Sequence, residues 1–280
     1  MANHFDRIAD MTASLPEFIE SHRDQSWRRD PELRIETELD AERFVEDVGF
    51  SAGLTDARRP GPSLYIAVCG RRDAHMPRNV QKDPEARLAW NIKDELLRRG
   101  RVHYGKLRGN RSIFVSRKLL PYFNSVFGIT RVQEESVLSE PAQNILKVLR
   151  QEWEMATRDL RAASGIADRP TFNKAIEELQ RVFKVIPSDV VYEPLFTYIW
   201  SLAEARFHVE LGITVNREEA LKEIARAYLK GGGMTLRGEL ARVTGIPNPE
   251  AGLGNWALVD EGFATRMAPG VYCVTELARR

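Results

Sequence analysis

Residues 155–166, MATRDLRAASGI, and residues 234–246, MTLRGELARVTGI, are two versions of one segment. Each reads as a short helix between a threonine suited to an N-cap (Thr157, Thr235) and a glycine suited to a C-cap (Gly165, Gly245). What lies on either side repeats as well. Before them stand SEPAQNILKVLRQEW and REEALKEIARAYLKG. In these, Ile145, Leu146 and Leu149, and Leu221, Ile224, Ala225 and Tyr228, recur at helical spacing. After the Gly-Ile pair comes a second short helix, DRPTFNKAIEELQRV or NPEAGLGNWALVDEG, and then a β-rich tail, VFKVIPSDVVYEPLFTYIWSL or ATRMAPGVYCVTEL. Helix, short helix, glycine turn, helix, hairpin is the order of a helix-turn-helix with a wing appended. The two Gly-Ile turns lie 80 residues apart (165 to 245), too far for a solenoid repeat and suited to tandem small domains.

A less regular third copy occupies the N-terminal half. ELDAERFVEDVGF is a helix with Phe44, Val45, Val48 and Phe50 as its apolar stripe. SLYIAVCG is compatible with either a helix or a strand. PEARLAWNIKDELLRRG is a helix with Leu88, Ile92, Leu96 and Trp90 facing inward, begun by Pro84 and ended by Gly100. RVHYGKLRGNRSIFVS follows at once, in the position of a wing, with Gly109 and Asn110 in its turn. Alternation makes Val102, Tyr104, Ile113 and Val115 its packed face. The expected fold class is mainly α with small β-hairpins (α+β), as tandem winged helix-turn-helix modules. The expected partition is a helical arm over 1–36 and modules over 37–131, 132–212 and 213–280.

The 280 residues carry 41 Lys+Arg against 40 Asp+Glu, with 43% hydrophobic residues, the composition of an ordinary globular protein. No apolar run approaches the roughly 18 residues of a membrane span. The opening MANHFDRIADMTASLPEF lacks a basic region followed by an apolar core, so no secretory signal is expected. The only two cysteines, Cys69 and Cys273, are far apart and read as reduced, buried thiols; the expected compartment is the cytoplasm.

Charge is near balance overall but segregated along the chain. From Leu96 to Gln133 there is no Asp or Glu, while Arg98, Arg99, Arg101, Lys106, Arg108, Arg111, Arg117, Lys118 and Arg131 supply nine cations. The remainder holds 32 cations (41 less 9) against all 40 acids, a net −8. Such segregation creates a local positive field. Phosphates attract Lys and Arg, and a groove admits a helix or a two-stranded ribbon. Candidate duplex-DNA contacts are therefore Arg98, Arg99, Arg101, His103, Lys106, Arg108 and Arg111, in and just before the hairpin. Arg169, Thr171, Asn173, Lys174 and Arg181 join them on the outward face of the helix that opens at Asp168. Its neighbours Glu177 and Glu178 argue against deep groove insertion. The competing reading is a solvated hairpin whose arginines pair with acids elsewhere.

Enzyme motifs are missing: there is no Gly-x-Gly-x-x-Gly, P-loop lysine, Gly-x-Ser-x-Gly or His-Glu-x-x-His. Gly231-Gly232-Gly233 lies between two helices and reads as a flexible turn. The five histidines have no ligand spacing, so no metal and no cofactor are expected.

The tandem pattern resembles the AlkZ/YcaQ-type winged-helix family, whose characterised members are DNA glycosylases that unhook interstrand crosslinks and excise alkylated bases. ERFVEDVGFSAGLTDARRPGPSLYIAVCGR resembles that family's first module. WNIKDELLRRGRVHYGKL resembles an AlkZ-related branch with a Trp…Lys-Asp-Glu…Tyr-Gly-Lys pattern. Family members carry Gln-x-Gln or Gln-x-Asp shortly after the equivalent of Val48-Gly49-Phe50. Here the positions read Ser51, Ala52, Gly53 and Leu54, and Ala52 and Leu54 cannot hold a water by hydrogen bonds. The resemblance therefore implies duplex DNA as partner more strongly than it implies base excision, and no catalytic residue is carried over. Two alternatives stay open: an active glycosylase with a displaced acid such as Asp56, and a winged-helix scaffold for protein partners. The oligomeric state is not legible.

Overall fold

The computed structural model describes residues 15–107 and 111–279. The structure is an α+β mixture in which one element order, helix–strand–helix–helix–strand–strand, occurs three times. The first run is α2 (Glu38–Val48), β1 (Phe50–Ala52), α3 (Leu64–Cys69), α4 (Pro84–Arg99), β2 (His103–Leu107) and β3 (Arg111–Val115). The second is α7 (Glu140–Glu152), β4 (Glu154–Ala156), α8 (Thr157–Ala163), α9 (Arg169–Arg181), β5 (Val185–Val191) and β6 (Thr197–Leu202). The third is α11 (Arg217–Gly232), β7 (Met234–Thr235), α12 (Glu239–Thr244), α13 (Asn248–Asp260), β8 (Ala264–Ala268) and β9 (Val271–Val274). Each run makes a three-stranded antiparallel sheet with the same strand order: β1-β3-β2, β4-β6-β5 and β7-β9-β8. Outside the runs lie α1 (Glu17–Ser26), α5 (Leu120–Phe127), α6 (Glu134–Val137), α10 (Ala203–Gly212) and α14 (Thr275–Ala278).

Local chemistry sets the boundaries. Asp83 caps α4 by accepting from the Ala86 N–H, Pro84 takes the first helical position, and Gly100 closes the helix in the left-handed region. Asp168 does the same for α9 through Thr171. The threonines expected as N-caps are not caps. Thr157 is the first helical residue of α8, and its hydroxyl accepts from Trp200 Nε1 (2.9 Å) and donates to the Tyr198 carbonyl; Thr235 lies in β7. Thr157 is spent on β6, and Thr235 on the strand before its helix. SLYIAVCG forms the helix α3, all six of whose residues are buried. A helix covered on every side has no polar face, so its sequence lacks the helical period.

The second run keeps its own core, built on Ile145, Leu146, Leu149, Phe172, Ile176 and Leu179. The first and third share one, centred on α11, which packs against α13, α5 and α1. Phe50 sits between Phe123 (5.4 Å, edge-on) and Tyr228 (6.3 Å, stacked), and Trp27 lies 6.0 Å from Tyr228. Aromatic pairs at these separations add to the burial of their large apolar surfaces.

The N-terminal arm docks on the third run. Arg23 is buried and donates to the carbonyls of Gly232 (3.0 Å) and Met234 (2.7 Å) and to Glu239 (3.1 Å), itself buried. Gly231-Gly232-Gly233 is therefore not the flexible turn expected from the sequence. Gly231 and Gly232 form the last turn of α11, directly beneath Trp27. A Cβ at Gly231 would stand 2.9 Å from Trp27 Nε1, and one at Gly232 would stand 3.2 Å from its Cζ2. Gly233 ends the helix at φ 68°. Gly231 and Gly232 are a bare landing surface for an indole ring.

Candidate nucleic-acid interface

The acid-free window is no longer acid-free once the chain folds. Arg98 pairs with Glu95 and with Asp189 (2.8 Å) and donates to the Val190 carbonyl, tying α4 to β5. Arg99 pairs with Glu42 on α2, Lys106 with Glu177 on α9 (3.0 Å), and Arg117 with Glu210 on α10 (2.8 Å). Arg98 and Arg99, offered above as DNA contacts, are thus struts between elements. Their carboxylate partners come from parts of the sequence far outside the window or from earlier in the same helix.

His103 requires a plainer correction. It is buried, stacked on Phe183 at 4.7 Å with Phe207 at 5.6 Å, and neither ring nitrogen has a partner among the described residues. Burial pushes its imidazole down to about 3, so the ring is neutral and out of reach of any duplex. The expected packed face of the hairpin changes accordingly. His103, Gly105 and Leu107 face inward from β2, while Tyr104 and Lys106 are half-buried. On β3, Ile113, Phe114 and Val115 are all buried, because this strand is central in its sheet and covered on both faces. Alternation fails where both faces are covered. Arg108 and the turn residues Gly109 and Asn110 lie outside the described residues.

Several of the remaining candidates come together. Lys106, Arg169 and Asn173 line one cleft of about 250 Å³ where the first hairpin meets α9, and aromatic rings form its walls: Tyr104, Phe196, Tyr198 and Trp200. Arg101, Arg169 and Lys174 are exposed and make no ion pair among the described residues. Thr171 is half-exposed beside them, and Arg181 is drawn towards Glu177 at 3.5 Å. Beside the cleft, the β5–β6 hairpin carries an apolar tip: Tyr192, Leu195 and Phe196 are 49, 79 and 47% exposed. Arg111 opens on the other side of the first hairpin, in a separate cleft with Arg59 and Arg242.

Behind the aromatic wall stands an ion pair that motif reasoning quoted but did not assign. Lys93 and Asp94 are both 2% exposed and bonded to each other. Asp94 also accepts from the Tyr192 hydroxyl, which in turn accepts from Trp90 Nε1 (3.0 Å), and Lys93 donates to the Tyr198 hydroxyl (3.3 Å). Lys93 further lies 4.7 Å from the Trp90 ring centre. A buried pair survives only when its remaining donors and acceptors are satisfied. Here the partners come from the second run's hairpin, so the network also fixes how β5–β6 sits on α4. The Trp90…Lys93-Asp94…Tyr104-Gly105-Lys106 spacing is the sequence signal for this cluster.

Around Ser51 to Leu54 the polar side chains bond to local partners. Ser51 is buried, and its hydroxyl donates to the neighbouring Ala52 carbonyl (3.0 Å). Asp56 accepts from the Arg58 guanidinium and backbone N–H and from the Met76 N–H (3.0 Å). Those donors, Arg58 foremost, hold its carboxyl well below the usual carboxylate range. The carboxylate so bonded clasps its loop.

No group of His, Cys, Asp and Glu able to hold a metal ion occurs among the described residues, and no helix among them is long and apolar enough to cross a membrane. No curated protein matches the chain. The solved structure of the Streptomyces sahachiroi DNA glycosylase AlkZ superposes with a TM-score of 0.54 at 13% identity, over 93% of this chain and 70% of that one. It has the same fold. The model of the family described as AlkZ related matches residues 35–229, from just before α2 to the last turns of α11, and so takes in the whole first and second runs. On that match, which spans well over half of its length, this chain belongs to the AlkZ-related family.

Proposed function

We propose that this protein is a duplex-DNA-binding member of the AlkZ-related family that has given up base excision by the family's route. Each helix–strand–helix–helix–hairpin run is read as one winged helix-turn-helix module, over 37–131, 132–212 and 213–280, with the arm before them. The observation that carries the reading is the cleft between the first wing and α9. It combines a cation left free of carboxylates in Arg169, an amide in Asn173, and four aromatic rings. Phosphates are held by such cations, and unstacked bases by such rings. The exposed Tyr192, Leu195 and Phe196 beside it are the side chains that wedge between base steps.

The reading that excision is lost is supported by what lies around Ser51 to Leu54. Nothing there accepts a proton, and Asp56 is committed to Arg58 and Met76. The test is a salt-titrated binding series on undamaged, abasic, alkylated and crosslinked duplexes, with base release followed on the same samples. Salt-sensitive binding without base release is the expected result. Absence of duplex binding at low salt would overturn the reading and leave the protein-scaffold alternative.

One observation favours a second reading, an active glycosylase. Asp94 is a buried carboxylate directly behind the aromatic cleft, and movement of Tyr192 or Tyr198 would open it. Base release by the native protein that disappears in Asp94→Asn, with binding kept, would establish that alternative.

A further inference from the structure

The cleft on the far side of the first hairpin is unlike the one just described. Arg59 comes from the loop between β1 and α3, Arg111 from the start of β3, and Arg242 from α12 of the third run. None of the three makes an ion pair among the described residues, and no Asp or Glu lines the cleft. The acid nearest in sequence, Asp56, is turned to Arg58 and Met76. Arg111 Nε is shut off from solvent and has no acceptor among the described residues. Partial burial, and then the like charges of Arg59 and Arg242, pull its guanidinium below its ordinary range. Three cations gathered without a counter-charge repel one another, and every other strut arginine named above has its carboxylate.

The packing that brings them together is tight. A Cβ on Gly61 would stand 2.9 Å from Val243, the residue after Arg242, so the loop carrying Arg59 lies directly on α12. Phe50 and Ile113 form the apolar floor, with the Ser112 side chain beside them, and Ala52 opens into the same space. The cleft therefore occupies ground next to where the family's water-holding pair would stand.

We propose that this cleft binds a phosphate monoester, as found at a strand end or on a free mononucleotide. Planar guanidiniums suit phosphate oxygens, which they meet two at a time. A backbone diester carries one negative charge, whereas a monoester carries close to two at neutral pH and matches three cations better. Shape agrees with charge. At about 240 Å³ the cleft falls below the ~300 Å³ at which drug-sized ligands begin to fit. It admits a phosphate entering end-on with part of its sugar, against the apolar floor. The inference is independent of the duplex reading, since its charge and space arguments hold for either source.

The test uses the full chain in calorimetric titrations with inorganic phosphate, 5′-AMP and adenosine. A second arm compares short duplexes bearing 5′-phosphate or 5′-hydroxyl ends. Arg59→Ala/Arg242→Ala removes two exposed side chains, and an unchanged unfolding midpoint shows that the fold is kept. Binding of 5′-AMP roughly tenfold or more above adenosine, lost in the double variant, is the expected result. Preference for phosphorylated over hydroxyl ends would identify strand ends as the source; equal affinity for both duplexes, with 5′-AMP still bound, would identify free mononucleotides. Equal affinity for 5′-AMP and adenosine, or no effect of the double variant, would overturn the inference even if duplex binding persisted. Binding of 5′-AMP with no duplex binding at any salt would uphold it while removing the reading proposed above.

Discussion

Charge neutralisation at six positions separates cations that the fold has already spent from those it has left free. Arg101, Arg169 and Lys174 are exposed and without carboxylates among the described residues, whereas Arg98, Arg99 and Lys106 are tied to Asp189, Glu42 and Glu177. Each phosphate contact contributes about 0.9 to the slope of log affinity against log salt on duplex DNA. Replacing Arg101, Arg169 and Lys174 by glutamine should therefore flatten that slope by about 2.7. Between 50 and 200 mM salt the native affinity should then fall about 40-fold more than that of the variant. The variant Arg98→Gln/Arg99→Gln/Lys106→Gln should lose stability but keep the native slope. Fluorescence anisotropy on a labelled duplex, run across that salt range, reads both slopes. Equal flattening by the two triplets would refute the division into free and spent cations, and with it the use of ion pairing to find the interface.

Further expectations concern stability. Arg23→Met leaves Glu239 buried without its charge partner and should cost about 3–5 kcal/mol in denaturant unfolding, while Arg23→Met/Glu239→Met should recover most of it; a cost below about 1 kcal/mol would show that the arm is not anchored there. His103 is held well below its unfolded value by burial, so its contribution to stability is present above pH ~6.5 and is lost progressively as pH falls from there. His103→Phe should remove that slope, and an unchanged slope would place the ring in water. The Asp56 carboxyl is held low, so its contribution is present above its unfolded value near 4 and lost on acidification. Asp56→Asn should cost about 1–2 kcal/mol at pH 7 and flatten the acid limb below pH ~5, as read by urea unfolding at several pH values.

What was legible in the sequence was punctuation and period. Pro84 and Gly100 bound α4 because their backbones permit little else there, and the stripes of α7, α9 and α11 follow from amphipathic packing. α3 was ambiguous because burial on all sides erases its period. His103 was misplaced because alternation presumes one wet face, and this hairpin is covered by Phe183, Phe207 and α9. The neutralised window was invisible for a different reason: Glu42, Glu177, Asp189 and Glu210 reach it only through tertiary structure. Arg59 and Arg242 are 183 positions apart (59 to 242) and carry no mutual signal along the chain. The Lys93-Asp94 pair was quotable as a pattern, but its meaning depends on Tyr192 and Tyr198 arriving from another run.

The seam between Arg23 and Glu239 also sets an order of assembly. Its two sides are 216 positions apart, and both lie outside the 35–229 span matched by the family model. At 5–20 residues per second, a ribosome needs roughly 10–40 s to deliver the second side after the first. Throughout that interval Arg23 lacks Glu239, and Trp27 and Phe50 lack Tyr228 for nearly as long. The second run, with a core of its own, is free to fold meanwhile. The seam can close only after both sides exist, and Gly231 and Gly232 are where its indole lands.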